Sequence, residues 1–271
     1  MSRRYLYKYV EFDQEKLVLD IITKNKIKFS DPSRFNDPFD CSPHYRNSSE
    51  PNKVRPDLFA RLDRGGLSPA EKIIFTQRAI NMANCAFKDG SFNKEAMRAI
   101  GVLSLSRTPW NVLMWSHYAR HHTGFVVEFQ EQTVFPIGQD GTDPRWLVTF
   151  EVNYSDERPV IERWDRPVEE EIDKIFMCKS KVWEYEQEER VINYQNGPGV
   201  IEYESSLLKS VIAGCRISDD NFELLKASVK QANKSRADKV VLYRAELDDR
   251  RYRLNIPNFH QPRPQKQSSS S

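Results

Sequence analysis

The sequence predicts an α+β domain whose mixed or mainly antiparallel central sheet is flanked by helices. Two observations lead to this prediction. Short segments rich in aromatic and β-branched residues, such as RYLYKYVEF and GVLSLSR, alternate with segments whose apolar residues have helical spacing. The chain of 271 residues is also 39% hydrophobic, which is enough for one buried core. We therefore expect a single domain over residues 1–259, followed by a tail.

The N-terminal elements are expected to be a strand, a helix and a second strand. RYLYKYVEF alternates in character and predicts the first strand. DQEKLVLDIITKN predicts a helix, because Leu17, Ile21 and Ile22 have helical spacing behind Asp13, a suitable N-cap. KIKFS predicts the second strand. The next stretch, DPSRFNDPFDCSP, holds three prolines and three aspartates, a composition that predicts a loop.

Two further helices are predicted in the middle of the chain. SPAEKIIFTQRAINMANCAF opens with Ser68 as N-cap, a proline at the first helical position and Glu71 at the capping-box spacing. After the strand GVLSLSR, a helix is expected from about Pro109 to His122. Gly124 follows it, where a left-handed residue is expected to end the helix before the strand FVVEF.

The second half of the chain continues the alternation. WLVTFEVNYS predicts a strand, and PVEEEIDKIFMCKSKVWEYEQEER begins with helical spacing before it leads into the strand RVINY. DDNFELLKASVKQANKS and KVVLYRAEL predict a helix and a strand. Residues 260–271, HQPRPQKQSSSS, contain no aliphatic side chain and no Phe, Tyr or Trp, so this tail is expected to be disordered.

The composition argues against several classes of protein. Lys plus Arg number 41 and Asp plus Glu number 39, so the formal net charge of +2 gives no general attraction to nucleic acid. No run of about 18 apolar residues occurs, and the N-terminal segment lacks the apolar core of a signal peptide. We therefore expect a cytoplasmic protein with no membrane contact.

Metal binding is not expected either. The four cysteines lie far apart and form no CxxC pair. His117 and His121 are four residues apart, so they would share one helix face at a spacing that suits metal ligands, but the glutamate of an HExxH motif is missing. A packed or hydrogen-bonding pair of histidines is the expectation, and no metal cofactor.

Polar and aromatic side chains near the ends of predicted strands form a candidate binding site. Glycine-rich nucleotide-binding motifs and the GxSxG esterase motif are absent from the sequence. The candidates are Tyr7, Asn36, Asp37, Ser104, Ser106, Arg107, Trp115, His117 and Tyr118. Tyr7 is alternatively a half-buried core residue, and Asn36 and Asp37 are alternatively turn formers. For the helix face of Met114, His117, Tyr118 and His121, core packing and a site-lining role remain equally open.

The segment YEQEER adds two candidate carboxylates. If it is extended, Glu186, Glu188 and Arg190 project to one side, while Tyr185 and Glu189 project to the other. Carboxylates two residues apart at the start of a strand can face a pocket. The alternative is a solvated helix face.

Five separated blocks resemble a known family. LYKYVEF, KFSDPSRFNDPFDC, LMWSHYARHHTGFVVEF, WEYEQEERVI and KSVIAGCRIS are similar, in this order, to the bacterial and phage family named domain of unknown function 2971. The resemblance covers roughly residues 5 to 256. It implies a family and not an activity.

A second similarity is to ADP-ribosyltransferase folds. These pair an opening strand that bears a polar or basic residue with a central Ser-x-Ser strand and a later E-x-E or single Glu. The matching positions are Tyr7 or Lys8, then Ser104 and Ser106 in SLS, then Glu186 and Glu188 in EQE. The opening strand lacks an arginine at its middle position. The resemblance implies NAD as substrate, without a metal.

The chemistry of NAD assigns a role to each candidate. Cleavage of the nicotinamide–ribose bond passes through an oxocarbenium-like state, which a carboxylate such as Glu188 can stabilise. Ser104 can hold the ribose, and Tyr118 or Trp115 can stack on nicotinamide. Either of two arginines can bind the pyrophosphate. These are Arg107 and Arg120.

Three functions follow as expectations. The first is an NAD-using ADP-ribosyltransferase or NAD glycohydrolase, acting as a phage-conflict or toxin-like effector on an unidentified acceptor macromolecule. The second is a non-enzymatic module that binds a nucleotide or a partner protein. The third is an effector that acts on nucleic acid. An enzyme of the first kind requires Glu186 or Glu188 to face the cleft that contains Tyr118.

Overall fold

The computed structural model describes residues 4–13, 17–46, 97–132, 143–162 and 174–260. The helix expected from Ser68 lies outside these residues, and so do positions 261–271 of the expected tail. The described ranges contain all the strands that the sequence predicts, so the observed sheet can be compared with the predicted one.

A seven-stranded mixed sheet confirms the predicted α+β architecture. In chain order, its strands are β1 (Tyr5–Val10), β4 (Gly101–Ser106), β5 (Phe125–Gln130), β6 (Phe150–Glu151), β10 (Glu188–Asn193), β12 (Leu208–Ala213) and β13 (Val241–Arg244). Their order across the sheet is β13-β12-β5-β1-β4-β10-β6. β12 and β13 are parallel, and the other neighbours are antiparallel.

Eight further strands of the described residues form four two-stranded pairs outside this sheet. They are β2 (Lys26–Phe29) with β11 (Gly199–Glu202), β3 (His44–Arg46) with β8 (Val160–Glu162), β7 (Asn153–Ser155) with β9 (Cys178–Ser180), and β14 (Glu246–Leu247) with β15 (Leu254–Asn255). The pairs β3–β8 and β7–β9 are parallel.

Two sequence predictions in this region were wrong. WLVTFEVNYS is not one strand, because the chain changes partner at Val152: its amide donates to Glu188 O, and the next amide, of Asn153, donates to Met177 O. The helical segment predicted before RVINY is interrupted after residue 176 by β9, which pairs with β7, and then by a 3-10 helix over Lys181–Glu186. Long-range backbone pairing outweighs local helical spacing here.

Helices on both faces of the sheet include α1 (Asp20–Thr23), α2 (Val112–Tyr118) and α3 (Asp219–Ala232), the three α-helices that lie wholly within the described residues. α1 and α3 pack in the larger apolar core on one face. α2 packs on the opposite face, which we call the site face, with Tyr7 and Tyr9 of β1. Within the described part of the chain, none of the helices has the length and apolar character needed to cross a membrane.

The ends of α2 differ from the prediction. The helix starts after Asn111, whose side chain accepts hydrogen bonds from the Leu113 and Met114 amides. It ends at Tyr118 and not at His122, because residues 120–122 have positive φ angles of 46°, 55° and 70°. His117 and His121 therefore do not share a helix face.

Gly124 is required for a different reason from the one predicted. Only Gly197 and Gly199 among the described glycines have positive φ, so Gly124 is not the left-handed end of the helix. A Cβ atom at Gly124 would lie 2.1 Å from the Val10 carbonyl oxygen. The glycine thus allows β1 and the start of β5 to approach closely.

Candidate functional site

A row of buried polar side chains crosses five strands on the site face. The strand register aligns Ser210 with Glu128, Glu128 with Tyr7, Tyr7 with Ser106, and Ser106 with Glu188. Each of the five is at most 3% exposed. Buried polar residues in line across a sheet are uncommon, since apolar side chains would pack there at lower cost. The row therefore points to a functional surface.

A cavity of about 400 Å³ lies over the β1–β4–β10 part of this row. This volume falls in the range of small-molecule sites. Eight of the residues predicted from sequence line it. They are Tyr7, Asn36, Ser104, Ser106, His117, Tyr118, Glu186 and Glu188. The cavity also contains the basic side chains of Lys8, Arg34 and Lys179.

Five buried charged groups form one cluster at the wall of the cavity. Arg190 donates to Glu188 at 2.8 Å and to Asp40 at 2.7 Å. The Lys179 ammonium lies 2.9 Å from Glu188, 2.5 Å from Glu186 and 3.4 Å from Asp40. Three carboxylates thus share two cations. Among the described residues, no group of three or more His, Cys, Asp or Glu side chains is arranged to hold a metal ion.

The pKa values of the two glutamates of EQE, Glu186 and Glu188, are shifted in opposite directions. Burial disfavours the charge of Glu188, but Arg190 and Lys179 outweigh burial and hold its pKa far below the ordinary range. For Glu186, burial is the largest effect and raises the pKa, although Lys179 opposes it. Of the two, Glu188 is the carboxylate that its cations hold in the ionised form, and Glu186 is the one that accepts a proton more readily.

Glu186 reaches the cavity through a turn that the extended interpretation of YEQEER did not include. It ends the 3-10 helix, and Gln187 follows with a left-handed φ of 47°. Ser106 Oγ donates to the Glu186 carbonyl at 2.6 Å, and Tyr118 donates to the Glu186 carboxylate at 2.6 Å. Glu188 lies in β10 as expected, so both carboxylates converge although only one is in the strand.

Two lysines of the cavity have contrasting surroundings. Burial lowers the pKa of Lys8 to about 8, against the opposing charge of Glu188. Its ammonium donates to the Ser104 carbonyl at 3.0 Å. Burial acts on Lys179 in the same direction, but the three carboxylates around it raise its pKa well above the usual value. Lys179 is therefore held as a cation, and Lys8 is a cation at neutral pH that loses its proton more readily than an ordinary lysine.

Four sequence-predicted site residues do not line the cavity. Trp115 is fully buried in the core, where its Nε1 donates to the Pro109 carbonyl at 2.7 Å. Arg107 is ion-paired with Glu151 across the sheet edge. Asp37 accepts from the Phe39 amide at 2.9 Å, as a turn former does.

Arg190 is the fourth of these residues. It is fully buried, and its Nε donates to the Glu188 carboxylate at 2.8 Å. Arg120, the other arginine proposed for the pyrophosphate, donates to the Phe12 carbonyl and is also outside the cavity lining. Arg120 lies in the left-handed turn that ends α2, so its side chain does not continue the helix face that lines the cavity.

Sequence reasoning missed Asp40, Lys179 and Arg34. Asp40 was interpreted as part of a turn-rich loop, and its role depends on Arg190, which is 150 positions away. Lys179 is brought to the carboxylates by the pairing of β9 with β7. No local pattern signals either contact. Arg34 is the last residue of a 3-10 turn capped by Asp31, and the prediction of a shaped loop in this segment was correct.

The comparisons with known proteins concern the segment that carries both carboxylates. No curated protein and no solved structure matches the chain. Residues 114–191 match the model of the family described as "Protein of unknown function (DUF2971)". This range contains β5 and most of α2 and β10, whereas β1 and the DPSRFNDPFDC loop lie outside it. The match confirms the resemblance for two of the five sequence blocks, LMWSHYARHHTGFVVEF and WEYEQEERVI, and the other three blocks lie outside the matched residues.

Proposed function

We propose that the chain cleaves the nicotinamide–ribose bond of NAD and transfers the ADP-ribosyl group to an acceptor macromolecule or to water. The observation that carries this proposal is that Glu186 and Glu188 both face the cavity that Tyr118 lines. This is the arrangement that the enzyme hypothesis required. We further propose that it acts in the cytoplasm as a phage-conflict or toxin-like effector.

Glu188 supplies the fixed negative charge in this proposal. As the bond to nicotinamide breaks, positive charge develops on the ribose, and nicotinamide leaves as a neutral molecule. A carboxylate that stays ionised and is held rigidly stabilises this charge without reorganising. Arg190 holds Glu188 through two hydrogen bonds of 2.8 and 3.0 Å. We propose Arg190 as a positioning residue.

Glu186 is proposed to accept the proton of the incoming nucleophile. When an acceptor hydroxyl or a water molecule attacks the ribose carbon, it must lose a proton. A carboxylate whose pKa is raised is a stronger base than an ordinary one. Environments that drive two neighbouring carboxyl pKa values apart are a known way of separating such roles. Tyr118, at 2.6 Å, orients the Glu186 carboxylate.

The remaining lining groups suit the rest of the substrate. Tyr118 and His117 offer aromatic faces for nicotinamide, in place of Trp115. The Ser104 hydroxyl lies at the floor of the cavity for the ribose. Arg34 and Lys8, and not Arg107 or Arg120, are the cations proposed to meet the pyrophosphate.

The test is nicotinamide release from NAD by the purified protein, with and without cell lysate as a source of acceptor. Wild-type protein should release nicotinamide, and Tyr118→Phe should release it more slowly, since this substitution removes only the hydroxyl bonded to Glu186. NAD binding is measured in parallel by calorimetry. Absence of release in every condition would contradict the proposal.

A second candidate is a non-enzymatic module that binds a nucleotide or a partner protein through the same cavity. One observation favours it: Glu188 already has Arg190 and Lys179 as partners, so it is satisfied as a structural group without substrate. NAD binding without nicotinamide release would support this candidate over the enzyme.

A further inference from the structure

A second buried carboxylate of the polar row is covered by the chain's own histidine. Glu128 in β5 is fully buried. It accepts hydrogen bonds from Tyr7 at 3.0 Å and from Ser210 at 2.6 Å, and His260 Nε2 lies 3.2 Å from its Oε1 atom. His260, where the tail was expected to begin, is therefore in contact with the sheet.

Aromatic rings surround the His260 imidazole. Its ring centroid lies 4.7 Å from Phe259, 5.1 Å from Tyr5 in an edge contact and 6.5 Å from Tyr243. The imidazole side chain nevertheless stays 39% exposed. The ring thus sits in a recess with aromatic walls, a carboxylate at its base and an opening to solvent.

The recess is connected to the cavity through Tyr7. The Tyr7 ring lines the cavity, and its hydroxyl is bonded to Glu128. The recess and the cavity thus lie on the two sides of Tyr7. Glu128 has no Arg or Lys at salt-bridge distance among the described residues, and burial raises its pKa. Lys209 and Tyr243 face this region from β12 and β13 without bonding to it.

We infer that His260 occupies a second binding subsite beside the cavity, one that takes a planar nitrogen heterocycle of a ligand against Glu128. An aromatic recess with a buried acceptor at its base suits a ring that stacks and donates one N–H. The imidazole supplies both features from within the chain. The inference deepens the proposed function, on which it rests for the identity of the heterocycle: NAD carries adenine besides nicotinamide, and the adenine amino group is such a donor.

The variant that tests the subsite is His260→Ala, which removes the ring that occupies it. Adenosine binding is measured by calorimetry for wild-type protein, His260→Ala and the control Tyr252→Ala, a fully exposed residue of the same segment. His260→Ala should bind adenosine about tenfold more tightly than wild type, because the wild-type protein must first displace its own ring. The control should match wild type.

Imidazole supplies an independent readout on the same variant. Free imidazole should raise the melting temperature of His260→Ala, and it should compete with adenosine. Adding Glu128→Leu to His260→Ala removes the buried acceptor and should weaken both ligands. Equal adenosine affinity in wild type and His260→Ala, or imidazole binding that does not compete with adenosine, would overturn the inference.

Nicotinamide release from NAD, measured on the same proteins, separates the two proposals. Adenosine binding that depends on His260 and Glu128, without nicotinamide release, would support the subsite and contradict the enzyme. Release without any change in adenosine affinity would do the reverse.

Discussion

Glu128 and Glu188 lie in the same row of the sheet, separated by the two strands that carry Tyr7 and Ser106, yet their surroundings differ. Glu188 is neutralised by an arginine and a lysine, which lower its pKa. Glu128 is held by two hydroxyls and a partly exposed histidine, and burial raises its pKa. Buried cations thus hold Glu188 as an anion. Glu128 has no such cation among the described residues, and the histidine that contacts it can be removed by truncation.

The largest expected effect is on stability when the fixed charge is removed. Glu188→Gln should lower the free energy of unfolding by about 3 kcal/mol, because it leaves Arg190 and Lys179 buried with fewer counter-charges. Glu128→Gln should change it by about 1 kcal/mol or less, because a glutamine oxygen still accepts from Tyr7 and Ser210. Urea unfolding measures both, with the exposed Glu184→Gln as control. Equal losses in Glu188→Gln and Glu128→Gln would contradict the claim that the charge of Glu188 contributes more to stability than that of Glu128.

The pH dependence of the same variants should have opposite signs. The folded-state pKa of Glu188 is lowered, so its stabilisation is present above the ordinary carboxyl pKa and is lost as pH falls. The pKa of Glu128 is raised, so its contribution is present at low pH and is lost as pH rises through the folded-state value. The advantage of wild type over Glu188→Gln should therefore shrink in acid. The wild type should lose stability relative to Glu128→Gln as pH rises from about 4. Difference curves that slope the same way would contradict the assignment.

The smallest effect should come from the C-terminal end. Deletion of residues 261–271 should leave the melting temperature unchanged, because that segment has no aliphatic side chain to bury. Deletion that also removes His260 should lower it by about 2 to 4 °C, the shift expected for about 1 kcal/mol in a chain of this size. Calorimetric scans of both truncations distinguish them. The same melting temperature for both would show that the contact of His260 with Glu128 does not stabilise the fold.

The sequence predicted those parts of the site that depend on strand alternation. Ser104, Ser106, Glu188 and Arg190 share one face because residues two apart on a strand do so, and the register of β4 with β10 joins them. Partners from distant segments left no such pattern. Lys179 joins the cluster only through the pairing of β9 with β7.

Aromatic candidates were harder to separate by sequence. Trp115 and Tyr118 are three residues apart, but one fills the core and the other lines the cavity. The helical spacing permits both outcomes, because the boundary between core and cavity depends on what packs opposite. The early end of α2 was also not predicted, since three successive non-glycine residues, Arg120, His121 and His122, take the left-handed conformation, which non-glycine residues adopt in only a few per cent of cases.

The measurement that tests the central claim most directly is the rate of nicotinamide release by Glu186→Gln. Its matched control is Glu184→Gln, an exposed position in the same 3-10 helix. The account predicts that Glu186→Gln releases nicotinamide about a hundredfold more slowly than wild type, the loss typical of a missing general base, while Glu184→Gln is unaffected. Equal rates in wild type and Glu186→Gln, with both proteins folded, would contradict it.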